Sequence, residues 1–524
     1  MKRIIFILLT GLLFSQDKYA VDWETVAKIR EEGFQRSEIA STLSYMTDVL
    51  GARLTNSEDM RRAQDWAVKE MKRIGLRNTK IEPFMDYGVS WDNEYFSLHL
   101  LEPDRQLMVG YPIAHTPGID GRKKLSVVLV EIKTKSDLKK YKGKLRGKAV
   151  LATPPPKIDL ERYRKGTPRY TESELFEISQ KPLPKEPRGP RPPSNPDLVS
   201  AVERNSFFKD EGVIAILESR SGWIAAVRGF ARPGAKQDKW GREETLDHLP
   251  IVAVTPEHYN RMVRIAKRDI PIKIELEIKN KIGKSRRKAR NTMGEIPGTD
   301  LKDEVVMLGA HFDTWHASPN ASDNTSGVAV MLEAMRILKA INIKPRRTIR
   351  IALWSGEEQG LHGSREYVNK HFGNPNDPAI GKKRDYDKFS AYFNQDYGPG
   401  QYRGIYLQDN EHVRQAFTAW MSPFKDLGMT TIGSQSVGST DHIPFDRAGL
   451  PAFQFLQDRV GGTGGHTNLD YYDTIPIEDI KKNAVIVASF VYHTAMLDHR
   501  LSLIHISEPT RRYAISYAVF CLKK

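Results

Sequence analysis

Seven side chains in the second half of the chain are of the kinds that bind metal ions or move protons: His311, Asp313, Asp323, Glu357, Glu358, Asp396 and His466. Imidazole nitrogen and carboxylate oxygen are ordinary ligands of Zn²⁺, and a catalytic site keeps one position open for water or substrate. In His311-x-Asp313, residues i and i+2 of an extended segment point the same way. Asp313 is therefore expected to accept the second N–H of His311 and fix its tautomer. Asp323 stands at the mouth of a helix after a polar loop, where both carboxylate oxygens are available to bridge two ions. Glu357 and Glu358 are adjacent, so their side chains diverge. One can bind metal while the other takes a proton from a water whose pKa an ion brings towards ~7.

The elements that position these residues are legible as short apolar runs. VVMLGA leads to His311 and Asp313, TIRIALW to Glu357 and Glu358, FSAYFN to Asp396, and PAFQFL through a Gly-rich loop to His466. Ligands of open α/β sheets collect outside the carboxyl ends of strands, so segments distant in sequence can converge on one crevice. After Ser326, residues Val328, Met331, Leu332, Met335 and Leu338 share a face at helical spacing. Earlier, 40–50 and 58–74 have helical spacing around a GARLTNS loop; Asn56 or Ser57 suits an N-cap and Gly75 a stop.

Between 125 and 280 the texture changes. SVVLVEI, GKAVLAT, GVIAILES, GWIAAVRG, PIVAVT and IKIELEIKN are short apolar or alternating runs, read as a β-rich unit with little helix. Within it, 154–196 is rich in Pro, Lys and Arg and reads as an extended, exposed insertion. The expected fold is α/β: a mixed β-sheet flanked by helices, made from 21–124 and 281–500, with the β-rich unit 125–280 inserted between.

GAHFDTWHASPNASDNTSG, LWSGEEQGLHGS, FNQDYGPG, GSTDHIPFDRAGLPAF and GGTGGHTNLDYYDT resemble successive blocks of the family 28 metallopeptidases. These are cocatalytic dizinc aminopeptidases and relatives such as plasma glutamate carboxypeptidase-like enzymes. The resemblance spans about 30–500, and the inserted unit is similar to a protease-associated domain. It implies a zinc-dependent exopeptidase with two Zn²⁺ per chain and a peptide substrate. His311 and Asp396 would hold one ion, Glu358 and His466 the other, with Asp323 bridging and Glu357 as general base. It also implies a cis peptide bond at Asp323-Asn324. Two other readings share the fold: a single-zinc enzyme of the glutaminyl cyclase kind, and a non-catalytic binding protein of the transferrin receptor kind. The full set of five ligands and a base disfavours both.

Neighbouring polar residues are assigned lesser parts. His316 and His362 read as flanking loop residues, and Asp441 and His442 as groups that shape the cleft or orient ligands. Trp315 and Tyr397 read as pocket lining or rim packing, and Asp473 as support for the loop bearing His466.

The 524 residues are too many for one compact core. The formal charge of +15 is diffuse, without the interleaved aromatic and basic residues of a nucleic-acid groove. The segment 1–20, with Lys2, Arg3 and an apolar run at 4–14, reads as a signal peptide for export to a periplasmic or extracellular location. No later apolar stretch is long enough for stable membrane insertion. The segment 501–524 reads as a translated sequencing adapter joined in frame, and it holds the single cysteine, Cys521. Disulfides are therefore not expected.

Overall fold

The computed structural model describes residues 18–161, 168–181, 195–234, 240–460 and 465–501. The signal-like run up to residue 17, most of the Pro cluster (182–194) and the tail from 502 lie outside them.

One eight-stranded sheet carries the chemistry. Its spatial order is Arg77–Gly88, Arg287–Ile296, Arg347–Trp354, Leu301–His311, Phe389–Asn394, Ala452–Gln457, Tyr402–Tyr406 and Thr431–Gly433. The four central strands, Arg347–Trp354 to Ala452–Gln457, run parallel, and the strands next to them on either side are antiparallel. Alternation along the strand Leu301–His311 divides the core between two faces. Val306, Leu308 and Ala310 pack with the helices Ser326–Ala340 and Ile477–Met496, while Val305 and Met307 pack with Trp354, Tyr367, Tyr392 and Phe445. Burial on both faces explains why these strands read as continuous apolar runs rather than alternating ones.

The early helix forms as its sequence dictates. It spans Glu58–Ile74, with the Ser57 side chain accepting the Met60 N–H and Gly75 ending it at φ 89°.

The inserted unit has its own eight-stranded sheet, and this differs from the expected outline in three ways. It begins at Trp91 rather than near 125, because Trp91–Glu102 pairs antiparallel along Lys273–Ile282. It contains helices, among them Ala201–Asp210 and Arg242–Leu246, between strands that pair in parallel and so need crossovers. And GWIAAVRG forms no strand: its backbone is satisfied elsewhere, as described below. Among the described residues, no helix is long and apolar enough to cross a membrane.

Candidate metal centre

All five proposed ligands converge at the carboxyl ends of the parallel strands. They form two groups, His311 with Asp323 and Asp396, and Asp323 with Glu358 and His466. Within each group the ligand atoms lie within 4.8 Å of one another. Asp323 is common to both. Its Oδ1 is 3.2 Å from His311 Nε2 and its Oδ2 is 3.1 Å from His466 Nε2. His311 Nε2 also lies 3.1 Å from Asp396 Oδ1, and His466 Nε2 lies 2.8 Å from Glu358 Oε2. The donor set is right for two borderline cations sharing a carboxylate. Glu358 Oε1 is buried with no hydrogen-bond partner, as expected of an oxygen meant for an ion.

The peptide Asp323-Asn324 is cis, as the resemblance implied. Gly465 lies against the bridging ligand so closely that a Cβ there would collide with the Asp323 carboxylate. The glycine before His466 is therefore required by close approach.

Asp313 holds a different place from the one expected. His311 Nδ1 is 2.8 Å from the Asp313 main-chain oxygen, while the Asp313 carboxylate is 3.9 Å away. A carbonyl can only accept, so Nδ1 carries the proton and Nε2 keeps its lone pair for a metal. The Asp313 carboxylate accepts instead from the backbone N–H of Glu357 (3.2 Å), the backbone N–H of Glu358 (3.3 Å) and the Thr55 hydroxyl (2.9 Å). The chain turns after His311, so residue i+2 no longer shares the imidazole's direction. Asp313 thus seats the turn that carries both glutamates.

Glu357 is not in either ligand triad, but its Oε2 is 4.0 Å from His311 Nε2. Burial pushes its carboxyl well above the usual range, and the charges of Asp396, Asp441 and Glu358 add to this against the pull of His311. Burial likewise raises Glu358 to about 7, with the Asp323 charge assisting. His466 moves up to about 10 against burial, because Asp323 and Glu358 accept its hydrogen bonds. Such a crowd of carboxylates calls for cations, which would hold them ionised. The cleft above has a volume of about 420 Å³ and is lined by ligands together with Glu357, Gly360, Leu361 and Ser439.

Other residues support the site without an obvious sequence signal. Asp470, not Asp473, ties the His466 segment to the bridging ligand. It accepts from the Ser322 N–H and hydroxyl, each at 2.8 Å, and from the Asp323 N–H at 3.2 Å. Asp473 is exposed. Arg53, fully buried in the GARLTNS loop, donates to Phe312 O (2.9 Å) and the Thr325 hydroxyl (2.5 Å). It joins the end of the His311 strand to the loop after Asp323. Only the carbonyl and the hydroxyl it meets reveal that role; in sequence it is one arginine in a polar loop.

The lesser residues sort as follows. His316 donates from Nε2 to Pro112 O (2.6 Å), and His442 from Nε2 to Val437 O (3.0 Å), and neither belongs to either triad. His362 is buried beside Arg365, at 2.6 Å from its Nδ1. Asp441 is fully buried and accepts from the Ser364 hydroxyl at 2.5 Å. The Trp315 ring lies 6.2 Å from that of His466, and Tyr397 donates its hydroxyl to Gly438 O at 2.8 Å.

The inserted unit reaches this centre directly. Gly229 N–H donates to His466 O (2.8 Å), Asn468 N–H donates to Val227 O (3.1 Å), and Val227 N–H donates to Asn468 Oδ1 (2.6 Å). These bonds satisfy the end of the GWIAAVRG run, while the Ala225 N–H donates to Glu257 and the Ala226 N–H to Trp223 O.

The family model described as "Peptidase family M28" matches residues 291–491, the stretch that contains every one of these ligands. That stretch is similar to peptidase family M28, a family of hydrolases. Carboxypeptidase Q of Xenopus laevis is 22% identical over 443 residues, which cover 84% of this chain and 81% of that protein. Among solved structures, an M28 peptidase precursor from Shewanella amazonensis aligns with a TM-score of 0.65 at 20% identity. That alignment covers 92% of this chain and 98% of the other. A zinc aminopeptidase from Bacillus subtilis aligns at 0.56 and 18% identity, over 89% and 97%. At these identities the structural likeness speaks for the M28 fold, a mixed sheet flanked by helices.

Proposed function

We propose that this chain is a zinc-dependent exopeptidase that hydrolyses terminal peptide bonds, with two Zn²⁺ held by His311 and Asp396, by Glu358 and His466, and by Asp323 between them. The observation that carries the reading is Asp323, whose two oxygens each face a different histidine. When bound, the ions would supply an activated water and polarise the scissile carbonyl.

The chain's own groups do the rest. Glu357, outside both triads yet beside His311, accepts the proton of the attacking water and returns it to the leaving amine. Asp313 holds the Glu357 and Glu358 backbone so that one side chain serves as ligand and the other as base. The proton on His311 Nδ1, fixed by the Asp313 carbonyl, aims Nε2 inward.

The unit from Trp91 to Ile282 acts as a protease-associated domain that narrows access to peptide ends, a reading supported by its contacts at His466. The basic and apolar start of the chain directs export to the periplasm or the extracellular space. Neither nucleic acid nor a membrane is a partner in this reading.

The test is a panel of aminoacyl chromogenic substrates, dipeptides and end-blocked peptides, with and without chelator. Cleavage of free-ended substrates, lost on chelation and regained with zinc, is the expected result. Equal cleavage of peptides blocked at both ends would refute the exopeptidase assignment.

A further inference from the structure

Three parts of the inserted unit touch the peptidase unit around the metal centre. The loop bearing Val227 and Gly229 bonds the His466 segment. Trp240 packs on Tyr87, with ring centroids 4.4 Å apart, and meets His362 edge-on at 6.4 Å, beside the Glu357–Glu358 turn. The third part is 168–181, within the stretch that reads in sequence as an exposed insertion.

This segment is built to dock. Thr171 and Glu174 form a reciprocal cap that starts the helix Glu172–Gln180. Leu175 on that helix is 2% exposed, in a cluster with Tyr406 and Leu456 that Tyr170, Ile178, Tyr397 and Val437 border. Arg169 reaches Asp458 at 3.1 Å and Asp479 at 2.6 Å, and the Tyr170 N–H donates to Asp458 at 3.1 Å. From the other side Arg403 donates to Glu172 at 2.7 Å and to Tyr170 O at 3.3 Å. Asp458 has no exposed surface. A buried carboxylate is costly unless donors surround it, and two of those donors come from this segment.

The place matters as much as the bonds. Tyr397 follows the ligand Asp396 and is bonded to Gly438, next to Ser439 on the cleft wall. The segment therefore backs the Asp396 wall, while the Val227–Gly229 loop backs the His466 wall. Those two ligands lie in different metal triads, on either side of Asp323.

We propose that residues 168–181 are a strap that clasps the inserted unit to the Asp396 side of the cleft and so sets the length of peptide admitted. The proposal rests on the exopeptidase reading and names its substrate class: short peptides, whose ends pass beneath a unit held on both flanks.

The experiment uses the full chain loaded with zinc and the double variant Arg169→Ala, Leu175→Ala. Three quantities are read: hydrogen exchange of 168–181, bound zinc, and kcat/KM for a dipeptide and for an octapeptide with the same first two residues. The expected result is faster exchange in the strap, unchanged zinc, and an octapeptide-to-dipeptide ratio raised by about fivefold or more, the scale of losing one such ion pair and a packed side chain. Should the double variant not fold, Arg169→Ala alone, at an arginine 45% exposed, is measured in the same way with a smaller rise expected. Faster strap exchange with an unchanged ratio would overturn the strap, as would unchanged exchange. A wild type that cleaves neither peptide would overturn the exopeptidase reading, and the length role with it.

Discussion

The carboxylate of Asp313 accepts the backbone N–H of Glu357 at 3.2 Å, while its main-chain oxygen, not its carboxylate, meets His311 Nδ1 at 2.8 Å. The donors that meet this fully buried carboxylate come from two segments far apart in the chain, Thr55 in one and Glu357 with Glu358 in the other. The candidate site is therefore a set of histidine and carboxylate side chains at strand ends, joined by a few buried polar groups that fix the turns between them.

Replacing Glu357 by Gln removes a proton acceptor and little volume. Turnover should fall by roughly 10²–10⁴ while both ions stay bound, because Glu357 lies outside the ligand triads. Kinetics together with metal content by atomic emission decide this. Full activity would refute the assigned base.

Asp313→Asn keeps the shape but presents an amide where two N–H donors point. The Glu357–Glu358 turn should loosen, lowering kcat and zinc affinity together, the latter by about 10–100-fold. If instead His311 alone depended on Asp313, a cobalt-substituted protein would change its spectrum at the His311–Asp396 ion only. Loss at the Glu358–His466 ion, and not at the His311–Asp396 ion, is expected, since the turn carries one ligand and the base.

Removing metal should destabilise as well as inactivate. Without cations Asp323, Glu357, Glu358 and Asp396 share one cleft, and saturating zinc should raise the midpoint of thermal unfolding by about 5 °C or more. A stoichiometry near two per chain is expected from titration of the chelated protein. A value of one would favour the single-zinc alternative.

Asn468→Ala cuts the bond from Val227 N–H and one to Ala225 O at 3.2 Å. The His466 loop then loses part of its hold on the inserted unit. Zinc should dissociate faster from the site shared by Glu358 and His466, while the His311–Asp396 ion is retained. Dissociation followed with a chelating dye should become biphasic.

Far from the cleft, Arg336 joins Glu32 at 2.6 Å and Glu333 at 2.9 Å in a buried group that ties the helix Trp23–Gln35 to Ser326–Ala340. Arg336→Ala should cost roughly 3 kcal/mol, since it strands buried carboxylates. Burial works to raise Glu32, but its bonds to Arg336 and Arg36 outweigh this and hold it below its ordinary 4.5. A depressed carboxylate stabilises above its unfolded pKa and loses that contribution as pH falls through its folded one. The gap in stability between wild type and Glu32→Gln should therefore be widest near pH 6–7 and shrink below about pH 4. Urea unfolding at several pH values measures it.

Much of this protein is written locally. The apolar runs before His311, Glu357 and Asp396 are buried on both faces, so they show as unbroken stretches and mark both the sheet and the place of its ligands. Ser57 and Gly75 bound their helix by short-range geometry that any reader of the sequence can apply. What the sequence could not decide is which polar groups meet across the chain. Asp313 reads in sequence as the partner of His311 and Asp473 as support for the His466 loop, yet the turn after His311 sends the first carboxylate to the glutamates, and Asp470 takes the place given to the second. GWIAAVRG has the composition of a strand, but the N–H groups of Val227 and Gly229 are claimed by the His466 segment, and 168–181 lies in an exposed-looking stretch whose anchors, Asp458 and Arg403, are hundreds of residues away. Hydrogen-bond satisfaction is a property of the folded whole, and only the tertiary structure settled it.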